Sequence, residues 1–213
     1  MMPPRWLFIA FLAGMPCAAV GMPSDSAHAE SPAVPWDLSL GGYYYVNPDE
    51  DDFVIAVGTA ERGSLHLEAR YNYEDLKTGS LFAGWKISMG EEFTAELTPM
   101  MGVAFGRTTG IVPALEVSLA YGIFDLYDES EYLVDLQDEG GSYLYSWLEL
   151  GVTPVDMFRF GVTAQRLRVA ETPLEVERGL FMQMMPEHAT VGLYAFNLTS
   201  EYWFLMLSLG IAW

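Results

Sequence analysis

The sequence predicts an all-β protein, a single antiparallel up-and-down barrel of about twelve strands, with ten as the alternative count, that crosses a membrane. Three observations predict it. Hydrophobicity alternates with period two along most of the chain, the links between alternating segments are long and short in turn, and the uniform face of each segment is the apolar one. A secreted sandwich or a soluble ligand-binding barrel would reverse the last feature, with polar residues outside and apolar ones within.

Residues 1–29 read as a signal peptide. Arg5 supplies a positive start, "WLFIAFLAGMPCAAV" the apolar stretch, and Ala27-His28-Ala29 a small-x-small cleavage site before Glu30. The residues ahead of Cys17 match a lipoprotein signal poorly, so the cysteine leaves with the leader and no disulfide forms. A short periplasmic lead at 30–35 precedes one barrel domain at 36–213.

The alternating segments run at 36–46, 53–61, 64–73, 80–88, 93–105, 113–121, 125–136, 142–152, 157–169, 178–185, 189–197 and 202–213. In "LHLEARYNY", Leu65, Leu67, Ala69, Tyr71 and Tyr73 share one face and His66, Glu68, Arg70 and Asn72 the other. A helix would scatter those charges. "SLFAGWKIS" sets Leu81, Ala83, Trp85 and Ile87 against Phe82, Gly84 and Lys86, and "ALEVSLAY" splits in the same way. "PDEDD", "EDLKTG", "GRTTGIV", "QDEGG" and "ETPLEVE" are the longer links, and "ERG", "GEE", "TPVD" and "PEH" the shorter ones. Short periplasmic turns and longer outer loops are the asymmetry of a membrane barrel, and an even strand count puts both ends in the periplasm. Trp36, Tyr44, Phe53, Tyr73, Phe93, Phe105, Tyr121, Phe158, Trp203 and Trp213 fall near strand ends, as an interfacial aromatic girdle requires.

Charge and hydropathy narrow the function. A net charge of -19 argues against nucleic acid, whose phosphates need a basic footprint. The chain is nonetheless 51% hydrophobic with a mean hydropathy of +0.18. Beyond the leader no apolar run reaches the roughly 18 to 20 residues of a membrane helix.

The C-terminal "EYWFLMLSLGIAW" places Trp203, Leu205, Leu207, Leu209, Ile211 and Trp213 on one apolar face. With a leader, alternating strands and this ending, 36–213 resembles the small outer-membrane β-barrel proteins of Gram-negative bacteria, porin-like in architecture, with no functional subfamily selected. The resemblance implies a place in the outer membrane among lipid and lipopolysaccharide, and assembly by the barrel-assembly machinery. It also implies that the last strand is the assembly signal, with Trp213 where Phe is more usual.

Three places strain this scheme. Asp128 falls on the lipid face of "DLYDESEYLVDL", which suggests a rim position or a bulge that shifts the register. Pro99 cannot donate to a ladder, so the fifth strand should bulge or bend there. Arg166 and Arg168 also face outward near the outer end of the ninth strand, where lipopolysaccharide phosphates or rim water would receive them.

The mixed face should line the lumen. It carries Glu68, Glu96, Glu116, Glu129, Glu131 and Glu149 with Arg70, Lys86 and Arg159, and His66 beside them. Two readings stand, an internal salt-bridge network and a pore whose acidic ring prefers cations. Tyr43, Tyr45, Tyr127, Tyr143, Tyr145, Trp147, Tyr194, Phe196 and Phe204 would either plug the lumen or stack on a ligand. The function expected is a narrow passive pore for small solutes, weakly cation-preferring; a closed structural or surface-interaction barrel is the alternative, and an outer-membrane hydrolase a remote one. A Ser64–His66–Glu68 triad can be drawn for the last, although a Ser and His at a turn more often bond the turn, and the expectation is no enzyme. The acidic run in "NPDEDD" lacks calcium-loop spacing, and no cofactor or metal is expected.

Overall fold

The computed structural model describes residues 34–48, 51–138, 141–169 and 172–213. The leader assigned to 1–29 and most of the lead at 30–35 lie outside the described residues.

Among the described residues strand propensity and alternation produce thirteen strand segments: β1 (Asp37–Val46), β2 (Phe53–Arg62), β3 (Leu65–Tyr71), β4 (Thr78–Trp85), β5 (Ile87–Met89), β6 (Phe93–Gly106), β7 (Gly110–Tyr121), β8 (Phe124–Asp135), β9 (Tyr143–Val155), β10 (Phe158–Val169), β11 (Glu175–Met184), β12 (Ala189–Phe196) and β13 (Phe204–Ala212). β4 and β5 both pair with β6 and form one interrupted stave, so the barrel has twelve staves. Every stave is antiparallel to its neighbours, and the sheet closes where β1 meets β13, from Ser39↔Ala212 to Val46↔Leu205. Trp213 and Leu38 exchange backbone hydrogen bonds of 3.0 Å at that seam. Closure satisfies every edge, which hydrocarbon demands because it offers no partner to a free N–H or C=O. No helix among the described residues is long and apolar enough to cross a membrane.

The faces sort as the alternation predicts. Leu40, Val54, Leu81, Trp85, Val103, Leu150, Leu180, Leu207 and Leu209 stand exposed on the outside. Tyr43, Tyr45, Ile55, Tyr145, Trp147, Phe196 and Met206 are buried within. One end carries the tight turns around Gly63, Gly122 and 156–157, and the other the longer loops.

Two of the three strained places resolve differently from the expectation, and the third, Arg166 with Arg168, as expected. β6 does not bulge at Pro99: Gly84↔Met100 and Ile87↔Leu97 keep one register. Instead the missing N–H coincides with a break in the facing stave, between β4 and β5, where the Lys86 amide donates to the Ser64 carbonyl at 2.8 Å. Asp128 sits mid-strand with no register shift, opposite Leu148. Its carboxylate accepts hydrogen bonds from Ser130 Oγ (3.0 Å) and Ser146 Oγ (3.2 Å), so local hydroxyls offset part of the cost of its lipid-facing charge. Arg166 and Arg168 are exposed on the outer face, opposite Ser146 and Leu144. A register shift does occur elsewhere, between Phe158 and Phe160.

Two girdle assignments are corrected. Phe53 is half-buried and stacks inside on Tyr45, with centroids 4.5 Å apart. Tyr73 is buried because β3 ends at Tyr71 and Asn72 takes a positive φ of 59°, which turns the next side chain inward. Trp36, Tyr44, Phe93, Phe105, Tyr121, Trp203 and Trp213 remain exposed, and Phe158 is partly so.

Candidate functional site in the lumen

The loop at 72–77 folds into the barrel. Asn72 and Lys77 bracket it with positive φ, and the Asn72 side chain donates to the Val54 carbonyl at 2.9 Å. Tyr73, Glu74 and Asp75 are thereby buried, and Tyr143 on the opposite wall donates to the Glu74 carbonyl at 3.0 Å. Burial holds the Glu74 carboxyl above the ordinary carboxylate range.

Below this loop lies Arg70, fully enclosed and sandwiched between the rings of Tyr73 (4.0 Å) and Phe82 (4.1 Å). Phe82 lies flat only because Gly102 faces it; a Cβ there would come within 2.4 Å of the ring. The guanidinium donates to Glu68 through Nε, to Glu131 at 2.9 Å and to Glu129 at 2.8 Å, with Glu74 at 3.7 Å. Since β3 and β8 are not neighbours in the sheet, the bonds to Glu129 and Glu131 span the lumen. Tyr73 adds a 3.1 Å bond to Glu129, and the Tyr127 hydroxyl lies 3.2 Å from both Glu116 and Glu129. One carboxylate oxygen each of Glu74 and Glu131 is buried with no hydrogen-bond partner.

Toward the turn end the track continues. His66 presents Nε2 to Glu68 at 3.4 Å and Nδ1 to Glu61 at 2.9 Å. Lys86 holds Glu61 at 2.5 Å and Glu96 at 3.4 Å. These last groups are partly exposed, with side-chain accessibilities of 22% for Lys86, 27% for Glu61 and 36% for Glu96. Ser39, Thr59 and Ser118 are half-buried at this end too, so solvent reaches a polar vestibule at this end of the lumen. Both ring nitrogens of His66 face carboxylates, which leaves neither for the Ser64 hydroxyl of the triad drawn above.

A second network has another character. Arg159 donates to Asp125 and Glu149 and to Gln183 (2.9 Å), and lies over the Phe181 ring at 4.6 Å. Glu149 also accepts from Tyr194 (2.9 Å) and Trp147 (3.2 Å). Gly151 makes the space; a Cβ there would lie 2.5 Å from Asp125 and 2.6 Å from Arg159. Between the networks a run of rings, Phe53–Tyr45–Phe204–Phe196–Trp147–Tyr194–Phe181, crosses the lumen with successive centroids 4.5 to 5.9 Å apart.

Glu68, Arg70, Glu129, Glu131, Glu149 and Arg159 are thus brought together inside the barrel, Glu116 lies beside them, and Lys86 and Glu96 stand at its vestibule. Tyr43, Tyr45, Tyr145 and Trp147 are buried in the ring-rich part. Glu61, Glu74 and Asp125 are members that the reading of the sequence missed. Glu61 was available from the inward set Phe53, Ile55, Val57 and Thr59, whereas Glu74 depends on a loop conformation that period two does not encode.

A closed twelve-stave barrel with an apolar exterior and a charged interior has the architecture of a porin-like transmembrane β-barrel. No family model and no curated protein matches the sequence. Among solved structures the chain is similar to a KdgM porin, at a TM-score of 0.60 and 8% identity over 82% of this chain and 98% of that one. A KdgM porin in complex with disordered oligogalacturonate matches at a TM-score of 0.62 and 8% identity, over 81% and 98%. The NanC porin matches at a TM-score of 0.53 and 9% identity, over 83% and 98%. At these identities the likeness is one of fold.

Proposed function

We propose that the protein is a narrow passive channel for small solutes in the bacterial outer membrane, with a preference for cations. The observation that carries this reading is the acid-rich track. Glu96, Glu61, Glu68, Glu116, Glu129, Glu131 and Glu74 follow one another from the vestibule to the folded-in loop, against Lys86, His66 and Arg70. Closely spaced carboxylates in a low-dielectric lumen attract cations and repel anions. An anionic oligosaccharide such as oligogalacturonate, bound in a KdgM porin, suits this lumen poorly, so the solutes are inorganic cations and small cationic or neutral molecules. Arg70 and the ring run fill the middle of the lumen, which makes conductance low.

The burial of that ring run also favours a second reading, a closed barrel that displays its outer loops. Single-channel recording in a planar bilayer with a salt gradient separates the two. Discrete small steps with a cation-selective reversal potential support the channel, and silent bilayers containing demonstrably folded protein support the closed barrel.

A further inference from the structure

We infer that the barrel binds one divalent transition-metal ion of the zinc type at His66, Glu68 and Glu116, just inside the vestibule. The inference goes beyond conduction and holds equally for a barrel that conducts nothing.

One ligand atom from each of these residues lies within 4.8 Å of the others. His66 and Glu68 are two apart on β3 and so share its inward face, while Glu116 reaches them across the lumen from β7. Zinc takes nitrogen at about 2.0 to 2.1 Å and carboxylate oxygen at about 2.0 to 2.2 Å in a tetrahedron, so its ligand atoms stand about 3.4 Å apart. His66 Nε2 and Glu68 Oε2 are already 3.4 Å apart, long for a hydrogen bond and close to that tetrahedral edge. Glu116 closes the remaining gap by side-chain rotation. A fourth position is left for water or a solute.

The surroundings fit the same assignment. A metal-bound imidazole is normally oriented by a carboxylate on its other nitrogen, and Glu61 stands 2.9 Å from His66 Nδ1, itself held by Lys86. Arg70 orients Glu68 and the Tyr127 hydroxyl orients Glu116. Each ligand therefore has a partner behind it. Charge points the same way, because Glu68 and Glu116 crowd together in a lumen already short of cations, and a divalent ion between them relieves that repulsion. One imidazole with two carboxylates suits zinc and its neighbours; calcium would want six to eight oxygens. The partly exposed Glu61 and Lys86 mark the approach from the vestibule.

The test uses the full-length protein extracted from outer membranes in detergent, its folded state checked by heat-modifiable gel mobility, with Zn2+ alone as the probe in calorimetric titration. One Zn2+ per chain at micromolar affinity or tighter is expected. His66→Gln should weaken it by about 100-fold, and Glu61→Ala by about 10- to 100-fold as loss of an orienting partner. His188→Gln, at a side chain 74% exposed, should change nothing. Where His66→Gln does not fold, Glu116→Gln and the visible absorption of Co2+ in the unaltered protein decide, a tetrahedral spectrum supporting the site. Absence of saturable binding, affinity unchanged from the unaltered protein in the His66 and Glu116 variants, or loss on His188→Gln would overturn the inference.

Discussion

The two arginines inside the barrel sit in opposite kinds of company. Arg159 meets two carboxylates, Asp125 and Glu149, and the remaining capacity of Glu149 is taken up by Tyr194 and Trp147. Arg70 faces four, Glu68, Glu74, Glu129 and Glu131, with Glu116 nearby and carboxylate oxygens left without partners. The first is a closed tie between staves. The second sets one guanidinium against four carboxyl groups, so acidic groups outnumber their counter-ion there by a wider margin than in the first. Ion pairing alone therefore does not distinguish structure from function; the balance of charge within each network does.

The largest test removes each centre in turn. Arg70→Met leaves buried carboxylates uncompensated and should cost at least ~3 to 5 kcal/mol, enough to block assembly. Arg159→Met should cost less, because it strands one fully buried carboxylate, Glu149, which Tyr194 and Trp147 still hydrogen-bond, while Asp125 is 24% exposed and can be solvated. Heat-modifiable mobility and denaturant midpoints report both, and equal losses would break the comparison. Next in size is the face assignment beneath it. Leu207→Arg puts a charge into lipid and should cost ~2 to 4 kcal/mol near the midplane, whereas Ser118→Arg, in the vestibule, should assemble normally. Equal tolerance would mean that neither network lines a lumen. Asp128→Leu should raise the unfolding free energy by about 1 kcal/mol, since an apolar side chain replaces a lipid-facing charge; a loss would mean that its two serine bonds outweigh the desolvation. The smallest effect is the most specific. Glu116→Gln should barely move stability but shift the reversal potential toward zero, while Glu149→Gln should do the reverse.

Much of this was legible beforehand because a membrane barrel imposes one rule on every strand. The lipid face must be apolar, so alternation marks each stave and assigns Glu68, Arg70, Glu129 and Glu149 to the inside together. The rule lapses where strands end. Tyr73 was placed on the girdle by extending β3 two residues too far, and one positive φ at Asn72 sends it inward with Glu74 and Asp75. Pro99 was recognised as an obstacle, yet its effect fell on the facing stave, because the group it lacks is the one its neighbour needed. Pairings across the lumen, such as Arg70 with Glu131, depend on barrel diameter and stagger, which no local pattern carries.

That interrupted stave also sets where the wall is weakest in time. β5 is three residues long, exposed throughout, and joined to β4 only past the gap at Lys86. Its amides should exchange with solvent deuterium well before those of β1 and β13, at the long seam that closes the ring. The barrel then breathes at its turn end, beside Lys86 and the mouth of the acidic track, and not where its first and last strands meet.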